Sequence, residues 1–144
     1  MAEDEGAGSG LPLSAVVVRG GQMEPAITVR ALRKERMERG RYALSVYSIP
    51  DLDAHRIALR VGTPDLPHPE MRESTIGKIR QAGYEIALSE EEGYAEGHCD
   101  LVVPWESSEG ANEEWLLDHS ERLLDLFDKK SPNPVKRPKG QSGR

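Results

Sequence analysis

The chain has one cysteine, one phenylalanine and no long apolar segment. Because a disulfide needs two thiols, the single Cys99 excludes an internal disulfide framework. No apolar run approaches the ~18 residues of a membrane-spanning helix. The first six residues are acidic and small, whereas a signal peptide begins with basic and then apolar residues. We therefore expect a cytoplasmic protein without a membrane partner.

Acidic residues are absent after Asp128, where six of the 19 lysines and arginines are found. Residues 1–128 hold the other 13 basic residues and all 25 acidic ones, a formal charge of −12. Such a charge repels a phosphate backbone, which disfavours nucleic acid as a partner of this part of the chain. It favours a protein partner, a basic one in particular, although solubility alone also explains the charge. The basic tail remains compatible with nucleic acid.

Composition divides the chain into four parts. Residues 1–10 and 131–144 are rich in Gly, Ser, Pro and charge, which predicts disordered ends. Residues 11–104 are predicted to form the folded domain. Residues 105–130 are predicted to form a loop followed by an amphipathic C-terminal helix.

Apolar patterning predicts an α+β fold with a small four-stranded mixed sheet packed with short helices. The predicted strands are 13–18, 41–48, 84–88 and 98–103, and the last two are expected to pair as an antiparallel hairpin. The predicted helices are 26–39, 51–61, 75–82 and 112–130. Ser74 is the expected N-cap of the third helix.

The first predicted strand ends in Arg19, Gly20 and Gly21. The β-branched run before it is typical of a strand buried on both faces. An arginine at such a strand end can bind an anion in bidentate fashion, and glycine lets backbone amides approach a ligand closely. The alternative is an ordinary turn with an arginine in solvent. Arg19 and Gly20 are thus the candidate cofactor-binding residues.

A strand ending in Arg-Gly, a helix, and then a strand with spaced serines resembles the opening of the bacterial mono-ADP-ribosyltransferases. The resemblance implies that Arg19 and Ser45 bind NAD. It also implies a catalytic glutamate on a late strand, for which Glu85 and Glu96 are candidates. Neither stands in the Glu-x-Glu or Gln-x-Glu setting of that family.

A second pattern covers residues 16–104. It consists of Val-Val-Arg-Gly-Gly, Leu-Ser-Val, Ile-Gly-x-Ile-Arg-x-Ala-Gly and a closing strand that begins with histidine. This pattern resembles a group of small uncharacterised bacterial proteins. It implies a recurring structural unit and no particular activity.

His98, Cys99 and Asp100 form the one short run of metal-ligating and nucleophilic residue types. On a strand, His98 and Asp100 share one face and Cys99 points to the other. A zinc site needs three or four ligands, and the sequence has no second Cys/His cluster, so no metal site is predicted.

The predicted C-terminal helix carries a wide apolar stripe that includes Trp115, Leu116, Leu123 and Phe127. This stripe either packs on the sheet of its own domain or binds a groove of a partner. These four residues are therefore the candidate partner-binding residues.

Two functions remain open. The first is an acidic protein-interaction module without a cofactor, such as an accessory or neutralising partner of a bacterial effector. The second is a small NAD-using enzyme similar to the ADP-ribosyltransferases, with Arg19, Ser45, Glu85 and Glu96 as its candidate catalytic residues.

Overall fold

The computed structural model describes residues 11–62, 65–89, 93 and 95–135. Within these residues, helices and strands follow one another in a mixed order. That order is β1 (Val16–Gly20), α1 (Pro25–Arg39), β2 (Tyr42–Tyr47), α2 (Ala54–Val61), β3 (Glu70–Thr75), α3 (Ile76–Gln81), β4 (Glu85–Leu88), β5 (His98–Val103), α4 (Glu113–Leu126) and β6 (Lys129–Pro132). The predicted disordered N-terminus, 1–10, lies outside the described residues.

The described strands form one sheet in the order β4-β5-β2-β1-β3-β6, and every neighbouring pair is antiparallel. The α+β class therefore agrees with the sequence, but the prediction of a four-stranded mixed sheet is wrong. The predicted antiparallel pairing of residues 84–88 with 98–103 corresponds to β4 and β5. The two additional strands are β3 and β6, which lie beside and beyond β1.

β3 was missed because its sequence, Glu-Met-Arg-Glu-Ser-Thr, has a single apolar residue. It nevertheless pairs with β1 over five residues, from Val16 opposite Thr75 to Gly20 opposite Met71. Its last residue, Thr75, caps α3 by accepting a hydrogen bond from the Lys78 amide. The predicted N-cap, one residue earlier, instead belongs to β3 and is buried.

β6 was missed because it reads Lys-Lys-Ser-Pro and follows a helix that was predicted to continue to residue 130. Lysine and proline are common on edge strands, where they discourage pairing with other chains. The prediction of disorder from residue 131 is therefore wrong for residues 131–135, among which Asn133 is 3% exposed. Residues 136–144 lie outside the described residues.

The long helices begin and end at recognisable signals. Pro25 opens α1 at a position where its missing amide costs no hydrogen bond, and Gly40 ends it in the left-handed conformation. Asn112 caps α4 by accepting from the amide of Trp115 at 2.9 Å. The α4 helix stops at Leu126, which lets the chain turn into β6.

Two apolar cores lie on opposite faces of the sheet. The larger contains Val17 and Leu44 together with residues of α1 and α4. The smaller contains Val18 and Tyr47 together with residues of α2. The period-two alternation of strand side chains explains how one strand contributes to both cores. As predicted, β1 is buried on both faces, since Val17 and Val18 are both fully buried.

Candidate functional site around Arg19

Arg19 lies at the point where β1 ends while its neighbour β2 continues. The register pairs Val18 with Tyr47, which puts Gly20 level with Ser45. The first half of β2 therefore extends beyond the end of β1. There the Arg19 Nη1 atom donates a hydrogen bond of 2.7 Å to the Ser45 carbonyl oxygen. The arginine side chain thus takes the place of a strand neighbour for this part of β2.

The Arg19 side chain is partly buried, and its hydrogen bond to Ser45 lies at an exposed position. Burial lowers the pKa of Arg19, while the neighbouring Tyr47 acts in the opposite direction. An arginine nevertheless stays protonated in proteins. Within the described part of the chain, no carboxylate forms an ion pair with Arg19. A partly buried cation without a carboxylate partner loses part of its hydration without compensation, which favours an anionic ligand at this position.

Two cavities share Arg19, and together we call them the Arg19 cleft. The first, the polar cavity, has a volume of about 290 Å³ and lies between α1 and β2. Ser45, Glu35 and Asp100 line it. Burial raises the pKa of Glu35, although Arg39, whose Nε lies 3.6 Å from Glu35 Oε2, lowers it. These groups offer charges of both signs, so the polar cavity suits hydroxyl and other hydrogen-bonding groups.

The second, the loop cavity, has a volume of about 370 Å³ and lies between the turn after β1, the start of α1 and residues 68–70. Gly21, at φ +87°, donates from its amide to the Glu70 carbonyl oxygen at 2.8 Å. A Cβ on Gly20 would lie 3.1 Å from the His68 ring. Met23 holds a positive φ of 58° although it is buried. A non-glycine residue in this conformation stores backbone strain, which occurs most often at functional sites.

The first turn of α1 also faces the loop cavity, through Glu24, Ile27 and Thr28. The N-cap residue, Glu24, makes no side-chain hydrogen bond to the amides of this turn. The positive end of the helix dipole therefore adds to the charge of Arg19.

The two candidate glutamates lie elsewhere. Glu85 is on β4, at the edge of the sheet, where its side chain is 67% exposed and 3.9 Å from Arg80. Glu96 pairs with Arg60 at 2.9 Å. Neither lines the Arg19 cleft. Arg19 thus shares the polar cavity with Ser45 and the loop cavity with Gly20, and neither glutamate lines either cavity.

The candidate partner-binding residues of the C-terminal helix pack inside this chain. Leu116, Leu123 and Phe127 are at most 1% exposed and belong to the larger core. Trp115 is half-buried against the ring of Tyr42, with the two ring centres 5.2 Å apart. Of the two alternatives open from the sequence, the helix therefore takes the one in which it packs on its own domain.

Residues 98–100 lie on β5 and do not form a catalytic triad. Ser89 Oγ lies 2.6 Å from His98 Nδ1 and 3.3 Å from Asp100 Oδ2. In a catalytic triad the histidine stands between serine and carboxylate, whereas here the serine stands between the other two. Burial raises the pKa of Cys99 to about 12, so its thiol is unreactive at neutral pH. Among the described residues, no three His, Cys, Asp or Glu side chains are placed to share a metal ion.

Sequence reasoning missed four residues of the cleft: Glu35, Thr28, His68 and Glu70. Glu35 sits in a charged helix whose alternating signs predict only a solvated face. His68 lies in the proline-rich loop 63–69 and Glu70 follows it, and the sequence of this loop does not predict its path. Thr28 had one sequence signal: it is an uncharged polar residue in the first turn of a helix whose neighbouring residues are charged or apolar.

Comparison with protein-family models, with curated proteins and with solved structures gave no significant match. No helix in the described part of the chain is both long and apolar enough to cross a membrane.

Proposed function

We propose that this protein binds a small molecule through an anionic group of that molecule, held by Arg19 in the Arg19 cleft. The observation that carries the proposal is that Arg19 is partly buried and still borders two open cavities. Its charge has no carboxylate partner among the described residues, yet its side chain borders two cavities. A phosphate or carboxylate would compensate that charge through bidentate hydrogen bonds.

The surroundings of Arg19 support an anion over a neutral ligand. The first turn of α1 lines the same cleft, so the positive end of the helix dipole lies beside it. The volumes of the two cavities, about 290 and 370 Å³, are of the order found for small-molecule sites.

NAD is the first ligand to test, because the resemblance of the β1-α1-β2 segment to the ADP-ribosyltransferases implies it. The shared cavity of Arg19 and Ser45 supports NAD as a ligand. ADP-ribosyl transfer has no such support, since Glu85 and Glu96 lie outside the cleft. The proposal is therefore one of binding.

The test is isothermal titration calorimetry of the wild type with NAD, ADP-ribose and inorganic phosphate. We expect at least one of them to bind, and Arg19→Ala to weaken that binding by about 10–100-fold, the usual effect of losing hydrogen bonds to a charged group. Arg30→Ala is the matched control, because Arg30 is exposed on α1 and lines neither cavity. A wild type that binds none of the three anions, or an Arg19→Ala variant that binds as tightly as the wild type, would contradict the proposal.

The acidic interaction module is a second candidate, supported by the formal charge of −12 on residues 1–128. A basic protein partner would bind through that charge, and its complex should dissociate as salt rises. A tagged pull-down at low salt, eluted with increasing salt and analysed by mass spectrometry, tests this candidate. A partner retained unchanged in high salt would contradict it.

A further inference from the structure

His68 lines the loop cavity with a ring that solvent and ligands can reach, since the residue is exposed. A Cβ on Gly20 would lie 3.1 Å from His68 Cδ2, and a Cβ on Gly21 would lie 3.7 Å from His68 Nε2. The imidazole therefore lies directly against the two glycines that follow Arg19. A side chain at position 20 would compete with the ring for this space, because optimal contacts between carbon atoms are about 3.5–4.0 Å long.

The backbone that carries His68 is held in place, whereas its ring is not. Pro67 and Pro69 flank the residue, and each fixes its own φ angle. The Asn133 side-chain amide donates to the His68 carbonyl oxygen at 2.9 Å, and the Asn133 backbone amide donates to the Pro69 carbonyl oxygen at 2.9 Å. Within the described part of the chain, no residue hydrogen-bonds to the His68 ring. The ring nitrogens are therefore left for a ligand in the loop cavity.

The charge of the loop cavity depends on His68. The charged groups that line it from the neighbouring elements are Arg19, Glu24 and Glu70, whereas Asp65 of the same loop does not line it. With a neutral imidazole these groups have a formal charge of −1, which disfavours an anion, and a protonated imidazole cancels that charge. A sphere with the volume of this cavity is about 9 Å across, less than the Debye length of about 10 Å at 0.1 M salt. The imidazolium and a bound anion would therefore attract each other with little screening.

We propose that His68 is the second anion-binding residue of the loop cavity and makes anion binding depend on pH. Arg19 is charged throughout the physiological range, whereas histidine is the side chain that ordinarily changes its charge between pH 5 and 8. As the pH falls through that range, the His68 imidazole gains a positive charge, so the anion binds more tightly. This inference rests on the proposed function, because it names a second residue that holds the anion of the Arg19 cleft.

The test is calorimetry with NAD, ADP-ribose and inorganic phosphate at pH 8 and pH 5.5, for the wild type and for His68→Gln. Glutamine keeps a polar side chain and stays neutral at both pH values. We expect the wild type to bind its anion about 5–20-fold more tightly at pH 5.5, and His68→Gln to change by less than about twofold, in line with the usual coupling between two bound groups. The comparison of the two proteins at one pH cancels the titration of inorganic phosphate itself.

A second variant separates the charge of His68 from its shape. His68→Lys has a positive charge at both pH values, so it should bind the anion more tightly than the wild type at pH 8 and show no further gain at pH 5.5. A role of the ring in packing alone would not be restored by lysine. His55→Gln is the matched control, because His55 is exposed on α2 and lines neither cavity, and it should keep the pH dependence of the wild type. Thermal unfolding of each variant at both pH values verifies that the folded protein is titrated.

The outcomes separate this inference from the proposed function. A pH dependence that survives in His68→Gln would assign it to Glu24 or Glu70 and overturn the inference, and so would weaker binding by His68→Lys than by the wild type at pH 8. Binding that depends on Arg19 and is equally tight at both pH values would overturn the inference and leave the proposed function standing. A wild type that binds none of the three anions at either pH would overturn both.

Discussion

The Arg19 guanidinium donates to the carbonyl oxygen of Ser45 at 2.7 Å, at the place where one strand ends beside another that continues. This single contact fixes the arginine between the polar cavity and the loop cavity. It also leaves the remaining donors of the guanidinium for a ligand, since arginine carries five N–H groups. The Arg19 cleft therefore forms because β2 extends beyond the end of β1.

Arg19→Met should raise the free energy of unfolding by up to about 1 kcal/mol, because removing a partly buried charge without a carboxylate partner outweighs one lost hydrogen bond. Urea unfolding measures this change. Arg41→Met is the matched control with the opposite sign, since Arg41 pairs at 2.7 Å with the mostly buried Asp100. Its loss should cost about 1–3 kcal/mol by leaving that carboxylate unpaired. If Arg19→Met lowered the free energy of unfolding as much as Arg41→Met does, Arg19 would be a residue that stabilises the fold, which contradicts the prediction.

Gly20→Ala tests the close approach of the turn to residues 66–68. The new Cβ would lie 3.1 Å from the His68 ring and 3.2 Å from a Leu66 methyl group. We expect a loss of stability below about 1 kcal/mol, because the exposed His68 ring can move, and a weaker affinity for the ligand. In a His68→Ala background the cost should shrink by at least about 0.5 kcal/mol, which a double-mutant cycle measures. Equal costs in both backgrounds would exclude His68 as the neighbour that matters.

Gly21→Ala should behave differently, because its cost comes from the backbone. At φ +87° an alanine loses about 1–2 kcal/mol, whichever residue stands at position 68. Gly40→Ala provides the matched control, since Gly40 has a φ of +82° and open space around its Cβ position. Similar losses in these two variants, both independent of His68, are the expected result of the unfolding measurement.

The parts of the fold that the sequence predicted are those with strong local patterns. The β-branched run of β1, the Pro25 and Gly40 ends of α1 and the alternation in β2 each determine their own structure. Arg19 was identified for the same reason, as the residue that follows an apolar strand. β3 and β6 have no such pattern, because they are stabilised by pairing with β1 and with each other. The missed cleft residues, Glu35 and Glu70 among them, were brought to Arg19 by that pairing and by helix packing, which local sequence does not encode.

Acid should destabilise the protein through His98, which is buried, and His119, which is partly buried. Burial lowers the pKa of His98 and of His119. Each imidazole therefore binds its proton at a lower pH in the folded chain than in the unfolded chain, whose histidines titrate near 6.5. Stability is unaffected above that pH and falls as the pH drops below it, until the folded chain is protonated as well. Chemical unfolding between pH 7.5 and 5 measures the slope.

His119→Gln should reduce that slope. The His119 ring centre is 4.4 Å from that of Trp115, so tryptophan fluorescence reports its protonation directly. The fluorescence midpoint of the wild type should lie below 6.5. A midpoint at or above 6.5 would show that burial does not govern this histidine. Glu35, whose pKa is raised by burial, contributes a slope of opposite sign at lower pH, and Glu35→Gln removes it.

Asn133→Ala should weaken ligand binding, although Asn133 does not line the loop cavity. The Asn133 side-chain amide donates to the carbonyl oxygens of Leu66 and His68 at 2.8 and 2.9 Å. The Asn133 backbone amide donates to the carbonyl oxygen of Pro69 at 2.9 Å. The residue after β6 thus fixes the loop that forms one wall of the loop cavity. The Asn133 Oδ1 atom also accepts from the Val135 amide at 3.1 Å, and losing these three side-chain hydrogen bonds should cost about 1–3 kcal/mol of stability.

The same variant should lower ligand affinity through a less ordered loop, with the effect concentrated on ligands that occupy the loop cavity. Ser131→Ala is the control, because its hydroxyl contacts Glu73 at 3.2 Å, away from that loop. Hydrogen exchange of the amides in residues 65–70 distinguishes a local effect from global unfolding. Faster exchange there, with unchanged protection in β1 and β2, is the expected result. Uniformly faster exchange across the sheet would instead mean that Asn133 stabilises the whole fold and has no particular role in the site.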